Sequence, residues 1–300
     1  MPERLHWDTD GRDWPLREHS RFVHAGGLRW HVQALGAGPV VVLLHGTGAS
    51  THSWRALAPR LATDHAVVAM DLPGHGFTDP LPGPATLPAM AAALGALLHR
   101  LALAPALLVG HSAGAAIAAR ALLDGIAPQT RGLVSLNGAL VPLHGRPLEW
   151  FGPLARMLAA TPFVTRLFAR QAAAPGAVER LLAGTGSRLD AEGVALYARL
   201  VRSPAHVRGA LAMMAGWDLR SLERDLPRFA RPLLLLAGTA DLTVPPAESA
   251  RVHALVPGAE FRTLPGLGHL MHEERPEECA VAIREFLARV LERSGAGGSA

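Results

Sequence analysis

The sequence predicts an α/β protein in which a mostly parallel sheet carries helices on both faces. Three observations indicate this fold class. Short apolar segments alternate with helical patterns, the apolar segments are continuous rather than alternating in polarity, and several of them end in a glycine-rich turn. Strands buried on both faces have such continuous apolar runs, and parallel strands need a crossover between them. At 300 residues, with 49% hydrophobic residues, the chain is long enough for one large domain with an insertion.

The individual elements follow from local patterns. Two short strands flank Gly26 and Gly27, a pair typical of a hairpin turn. Further strands are predicted over residues 40–44, 66–70, 107–109, 132–137, 232–237 and 260–264. Helices are predicted over residues 54–62, 87–103 and 277–291, and after the strand at 107–109 as far as residue 123.

The alternation of strands and helices stops between residues 141 and 229. This stretch shows helical patterns broken by proline and glycine and no clear strand. We therefore expect a helical insertion at 141–229, between core segments at 20–140 and 230–292. Residues 1–19 are expected to form an N-terminal extension over the core, and residues 293–300 a flexible tail.

The amount and distribution of charge indicate which classes of binding partner to expect. Lysine is absent, the formal net charge is +4, and residues 141–229 contain 12 Arg against 7 acidic residues. No arginine-rich run is interleaved with aromatic residues, which argues against nucleic acid. The local positive charge favours an anionic small molecule or an anionic membrane surface.

Several classes of protein are disfavoured by what the sequence lacks. The N-terminal residues are charged and lack the apolar stretch of a secretory signal, and no apolar run reaches the roughly 18 residues of a membrane span. The single Cys279 rules out a disulfide framework, and the histidines occur singly without the His-Glu-x-x-His pattern of zinc enzymes. We predict a cytoplasmic protein with no cofactor and no metal.

Residues 107–119 form the most informative stretch. An apolar strand pattern enters Gly-His-Ser-Ala-Gly at 110–114, and an alanine-rich helical pattern leaves it. This is the sequence form of a sharp strand-to-helix turn that holds a serine nucleophile above a sheet. Gly-x-Ser-x-Gly also arises by chance in a glycine-rich chain, but the flanking strand and helix argue against chance. Ser112 is therefore the candidate nucleophile.

A serine nucleophile needs a base, and the base needs a group that orients it. Asp241 follows the strand at 232–237 and His269 follows the strand at 260–264, so both can reach the sheet edge that carries Ser112. Asp241 could instead cap the turn before Pro245. The competing bases are His45, His75, His111 and His272, and we expect His45 and His111 to be packed beside the site.

Five motifs at strand ends together resemble the α/β-hydrolase superfamily. They lie at residues 45–48, 71–76, 110–114, 238–241 and 266–269. The resemblance covers about residues 20–292 and implies an eight-stranded α/β-hydrolase fold, with residues 141–229 as its helical cap. It also implies a catalytic triad of Ser112, Asp241 and His269, with an oxyanion hole formed by the N–H groups of Thr47 and Ala113. Ser112 argues against dehalogenases of this superfamily, which carry aspartate there.

Longer stretches resemble a narrower family, the magnesium-chelatase accessory proteins of bacteriochlorophyll biosynthesis. These stretches lie at residues 11–15, 45–54, 135–139, 183–188 and 197–207. The resemblance implies a porphyrin-pathway context rather than a particular reaction. Together with the expected triad, it leads us to expect a serine hydrolase that acts on a carboxylic ester in that pathway. The alternative is a non-catalytic protein that binds a tetrapyrrole or contacts a magnesium chelatase.

Arginines could pair with the carboxylates of such a ligand. Candidate pocket residues are His45, His111, Asn137, Arg188, Arg199 and Arg202, with Arg208 as a further cation. The arginines could equally lie on solvated helix faces.

A weak peripheral membrane contact is a further hypothesis. Apolar residues between 151 and 168 alternate with Arg156, Arg166 and Arg170, as in helices that lie in an anionic interface. The same residues could instead form a roof over the active site.

Overall fold

The computed structural model describes residues 3–143, 174 and 176–296, and it contains one eight-stranded sheet. The strand order is β1-β2-β4-β3-β5-β6-β7-β8, with β1 and β2 antiparallel to their neighbours and all other pairs parallel. The strands are β1 (Ser20–Ala25), β2 (Leu28–Leu35), β3 (Val40–Leu44), β4 (Ala66–Met70), β5 (Leu107–His111), β6 (Gly132–Leu136), β7 (Leu233–Gly238) and β8 (Glu260–Leu264). The predicted fold class and the N-terminal hairpin are confirmed.

The described helices are α1 (Trp7–Asp10), α2 (Leu57–Leu61), α3 (Leu87–Arg100), α4 (Ala113–Leu123), α5 (Ala177–Ala183), α6 (Ala191–Val201), α7 (Pro204–Gly216), α8 (Arg220–Asp225), α9 (Pro246–Leu255), α10 (Met271–Glu274) and α11 (Pro276–Ala296). The helix predicted over 54–62 is present but begins later, at Leu57, because residues Thr51–Trp54 form a 3₁₀ turn that buries Trp54. The last helix is longer than predicted, since Pro276 can begin a helix and α11 continues into the predicted tail.

The sheet is covered on both faces, which explains the continuous apolar strands. Leu94 of α3 and Ile117 of α4 belong to the core cluster on one face. Leu61 of α2 and Ile283 of α11 belong to the cluster on the other. All five residues of β5 are buried. The centre of the sheet is thus a rigid base for the turn that follows β5.

The part of the predicted insertion that the structure describes, residues 176–229, contains α5 to α8 and a 3₁₀ turn at Leu226–Arg228. α7 lies over the glycine-rich turn after β3, because His206 contacts the Gly48 carbonyl at 3.1 Å. The stretch 151–170, on which the membrane hypothesis depends, lies outside the described residues. No helix among those described is both long and apolar enough to cross a membrane.

The N-terminal extension contacts both the core and the predicted insertion. The Trp7 ring packs edge-on against Phe22 and Phe77, with ring centroids 5.5 and 4.9 Å apart. The buried Trp14 donates its indole N–H to Thr51 at 3.1 Å. Ala205 at the start of α7 donates its amide to the Glu3 carbonyl at 2.9 Å. The extension therefore contacts both β1 and α7.

Candidate active site

Ser112 occupies a strained turn between the central strand and α4. Its backbone has φ 51° and ψ −116°, a region that L-residues rarely adopt. A Cβ on Gly110 would lie 2.3 Å from the Ala115 amide nitrogen, and one on Gly114 would lie 2.2 Å from the Leu44 carbonyl oxygen. Both glycines are required because backbone atoms occupy the space of a side chain.

Replacing Gly114 with alanine is expected to lower the free energy of unfolding by about 3 kcal/mol or more. The obstacle is the carbonyl of β3, which cannot move without disturbing its pairing in the sheet. Urea denaturation measures the loss. Gly83→Ala is the control, because nothing lies within 4 Å of its Cβ position and its stability should change by less than about 0.5 kcal/mol. Equal stability of the two variants would contradict the tight-turn argument.

The structure brings His269 and Asp241 into direct contact. His269 Nδ1 lies 2.7 Å from Asp241 Oδ2, and both side chains are buried. The other carboxylate oxygen of Asp241 accepts the amides of Thr243 and Val244 at 2.7 and 2.9 Å. Asp241 thus also caps the turn before Pro245, so the two interpretations of this residue are compatible. The contact commits Nδ1 as the donor and leaves Nε2 as the basic nitrogen.

Asn137, at the end of β6, joins the strands that carry these residues. Its backbone has φ 46° and its side chain is fully buried. The amide group donates to the carbonyls of Gly268 and His269 at 2.9 and 2.8 Å, and its oxygen accepts the Gly238 amide at 2.8 Å. Asn137 therefore bonds to residues 265–270, the loop that carries the candidate base His269 (the base loop), from the side of the sheet.

Two backbone amides next to Ser112 are uncommitted. Ala113 is the first residue of α4, where the amide has no partner within the helix. Within the described ranges, neither Ala113 nor Thr47 donates its amide to a backbone carbonyl. A Cβ on Gly46 would lie 3.0 Å from the Ser112 Cβ, so the loop of Thr47 touches the serine. The Thr47 hydroxyl contacts Met213 of α7 at 3.1 Å.

His45 and His111 are buried beside Ser112. His45 donates Nδ1–H to the Gly46 carbonyl at 2.8 Å and accepts the Leu72 amide at the same distance. His111 donates to the His269 carbonyl at 2.9 Å, with the two rings 4.7 Å apart. Burial lowers the pKa of both rings, which favours their neutral forms.

The remaining competing bases, His272 and His75, are bound to groups other than a carboxylate. The His272 ring is fully buried, with Nε2 2.8 Å from the Ser53 hydroxyl, and burial lowers its pKa to about 3. The His75 ring is also buried, and Nδ1 lies 3.2 Å from the Pro73 carbonyl. Only His269, among these candidates, contacts a carboxylate at the end of a neighbouring strand.

The candidate arginines have different surroundings. Arg199 is paired with Asp13 at 2.7 Å, and Arg208 with Glu3 at 2.7 Å, so both bind the N-terminal extension. Arg188 and Arg202 are exposed. Arg199 and Arg202 line a groove of about 540 Å³ between the extension and α6, together with Arg4, Leu5, Asp10, Ala195, Ala198 and Ser203. None of the residues around this groove is part of the Ser112 turn.

The structure contains a buried polar cluster near His269 that was not predicted from the sequence. Glu273 of α10 accepts the Tyr197 hydroxyl at 2.8 Å and forms a short ion pair with Arg55. Burial raises the pKa of Glu273 to about 7 although Arg55 is adjacent. The partners come from 76 and 218 residues away, so no local pattern could reveal them. Among the residues of 3–143 and 176–296, no three His, Cys, Asp or Glu side chains are placed to hold a metal ion.

Comparisons with known proteins identify the family of the chain. The profile of the alpha/beta hydrolase family matches residues 41–282. A magnesium-chelatase 30 kDa subunit of Rhodobacter capsulatus is 40% identical over 278 residues, spanning 92% of this chain and 96% of that protein. A pimeloyl-[acyl-carrier protein] methyl ester esterase of Xanthomonas oryzae pv. oryzae is 33% identical over 267 residues, spanning 87% of this chain and 99% of that protein.

A solved structure shows the same fold. The thermophilic esterase of Thermogutta terrifontis superposes with a TM-score of 0.72 at 24% identity, covering 90% of this chain and 98% of that chain. One assignment follows from the family match, the two relatives and the eight-stranded sheet, in which a glycine-flanked serine follows the central strand. The chain belongs to the α/β-hydrolase family.

Proposed function

We propose that the protein is a serine hydrolase that cleaves a carboxylic ester. Ser112 is the nucleophile, His269 is the general base and acid, and Asp241 orients the imidazole. The single observation that carries the proposal is the 2.7 Å contact between His269 and Asp241, which follow strands β8 and β7 on the same side of the sheet as Ser112. Such a pair, at the sheet edge that also carries a strained serine, has the groups that ester hydrolysis by a triad needs.

The reaction has two halves. In the first, Ser112 Oγ attacks the ester carbonyl while His269 Nε2 takes the hydroxyl proton, and the amides of Thr47 and Ala113 bind the oxyanion. The tetrahedral intermediate collapses, the C–O bond to the alcohol breaks, and His269 returns the proton to the leaving alkoxide. In the second, water repeats the attack on the acyl-enzyme, giving the carboxylic acid and free Ser112.

The substrate class rests on the relatives. The relative named as a pimeloyl-[acyl-carrier protein] methyl ester esterase supports a carboxylic ester as the substrate. The relative named as a magnesium-chelatase 30 kDa subunit supports a link to magnesium chelatase, and we propose that this link is to bacteriochlorophyll biosynthesis. We infer an ester of a porphyrin-pathway compound as substrate, acted on in the cytoplasm. The arginine excess of residues 141–229 suits an anionic substrate.

A second candidate is a non-catalytic accessory of magnesium chelatase, or a carrier of a tetrapyrrole. The 40% identity to a protein named as a chelatase subunit, over 96% of that protein, favours it. Complementation separates the candidates. If Ser112→Ala restores pigment synthesis fully in a deletion strain, the accessory function is supported and hydrolysis is not.

Labelling with a fluorophosphonate probe tests the nucleophile directly. Such probes phosphonylate a serine only where a base and an oxyanion hole activate it, so the wild type should be labelled and Ser112→Ala should lose at least about 10³-fold in labelling rate. Ser221→Ala is the matched control and should label like wild type, because its hydroxyl only contacts the Asp218 carbonyl at 3.4 Å. Unlabelled wild type that is folded would refute the proposed hydrolase.

A further inference from the structure

We propose that residues 185–187 (Thr-Gly-Ser), which follow α5 and precede α6, position His269 for catalysis. Ser187 is the positioning residue, because its hydroxyl accepts the amide of Leu270, the residue after His269. The inference rests on the proposed function, since it assigns His269 as the base. It makes residues of the predicted insertion part of the catalytic geometry, whereas a simple roof over the site would leave the base loop unsupported.

The contacts reach both loops that carry the base and its partner. The Thr185 carbonyl accepts the amides of His269 and Leu242, each at 3.2 Å. The Ser187 hydroxyl accepts the Leu270 amide at 2.7 Å. Leu242 follows Asp241 directly, so the 185–187 segment is bonded to the neighbours of both members of the His269–Asp241 pair.

The two peptide groups that flank His269 are each held from two sides. On the sheet side, Asn137 binds the carbonyls of Gly268 and His269, and His111 also binds the latter. On the other side, the 185–187 segment binds the amides of His269 and Leu270. Two fixed peptide groups leave the imidazole only its side-chain rotations, and the contact with Asp241 restricts those.

Glycines allow this close approach. Gly186 has φ +83°, and a Cβ there would lie 2.0 Å from the Ala240 carbonyl oxygen. A Cβ on Gly268 would lie 2.3 Å from the Gly186 carbonyl carbon. The two backbones are in van der Waals contact, so a shift of the 185–187 segment must displace the residue before His269.

The segment is itself anchored to the core. Asp190 caps α6 by accepting the Gly193 amide at 2.7 Å, and it pairs with Arg55 at 3.0 Å. Further along α6, Tyr197 donates to Glu273 at 2.8 Å. The 185–187 segment therefore lies in a fixed position from which it can hold the base loop.

Ser187→Ala tests the proposal, because it removes one hydroxyl and leaves the Leu270 amide without its acceptor. We expect kcat for a p-nitrophenyl ester to fall about tenfold while KM stays within about twofold, as a displaced base affects the transition state and not binding. Hydrogen exchange at the Leu270 amide should become about tenfold faster. Thr86→Ala is the matched control, since it also removes a hydroxyl that accepts a backbone amide, that of Ala89 at 3.3 Å. It should change neither quantity.

A double mutant separates positioning from general loss of stability. In a His269→Ala background there is no base to position, so adding Ser187→Ala should change the residual kcat for the same ester by less than about twofold. An undiminished tenfold effect in that background would overturn the proposal. Unchanged Leu270 exchange in Ser187→Ala would overturn it whether or not the protein is a hydrolase. Failure of the wild type to react with the probe would instead refute the proposed function.

Discussion

Asp241→Asn is expected to lower kcat for ester hydrolysis by about 10³–10⁴-fold, the largest effect on activity that we predict outside Ser112 and His269. The reason lies in how the carboxylate is bound. Oδ1 accepts two amides, from Thr243 and Val244, so an asparagine must keep its oxygen at that position. Its NH₂ group then faces His269 Nδ1, which must become an acceptor. The imidazole is thereby held in the tautomer whose Nε2 carries a proton and cannot act as a base.

Steady-state kinetics of the purified variant measure this effect, with circular dichroism as the check on folding. Asp218→Asn is the control, because this exposed residue only caps the Arg220 amide at 3.0 Å. It should retain the wild-type kcat. If Asp241→Asn kept more than about a tenth of the wild-type kcat, Asp241 would be only a turn cap and not the orienting acid.

Acid conditions are expected to destabilise the protein through its buried histidines. Burial lowers the pKa of His272 to about 3 and that of His206 to about 4, from the ordinary value near 6.5. Burial also lowers the pKa values of four further rings, those of His45, His52, His75 and His111. In the folded state these rings stay neutral at a pH at which the unfolded chain binds protons.

The direction of the effect follows from this difference. Because the folded pKa values are depressed, the stabilisation is complete above about pH 6.5 and is lost as the pH falls towards 4 and 3. Each of His206 and His272 accounts for about 3 kcal/mol between pH 7 and pH 4. Glu273 acts in the opposite direction between about pH 4.5 and 7, since its pKa is raised, and it offsets part of the loss.

A single variant measures how much one buried histidine contributes to the pH dependence of stability. Urea denaturation of His272→Gln at several values between pH 7 and pH 4 should show a pH dependence smaller by about 3 kcal/mol than that of the wild type. His253→Gln is the control, because His253 is exposed on α9. Parallel stability curves for His272→Gln and wild type would show that the buried ring is not the source of the acid sensitivity.

Local chemistry explains why so much of the fold was predictable. The continuous apolar strands, the hairpin at Gly26 and the turn at Ser112 depend on residues near each other in the chain, so their patterns are visible in the sequence. The parallel sheet followed from the alternation of strands and helices. Its strand order did not, because pairing of β3 with both β4 and β5 depends on packing over the whole sheet.

The surroundings of the site depended on contacts that no local pattern encodes. Arg199 has the positive charge expected of a residue that binds an anionic ligand. Its partner in the structure is instead Asp13, which lies 186 residues away in the N-terminal extension. Asn137 is recognisable as the end of a strand, but its bonds to Gly238 and His269 span 101 and 132 residues. The helix expected over 54–62 begins only at Leu57, because Trp54 belongs to a 3₁₀ turn that is buried in the core.

The sequence by itself determined the class of fold, the turn that exposes Ser112 and the strand ends that carry Asp241 and His269, because backbone sterics and hydrophobic periodicity act over a few residues. Only the tertiary structure decided which groups hold the base loop. Asn137 from one side and Ser187 from the other reach it through hydrogen bonds that form only when distant segments pack together. Such bonds depend on positions within a few tenths of an ångström, and those positions are set by the whole fold.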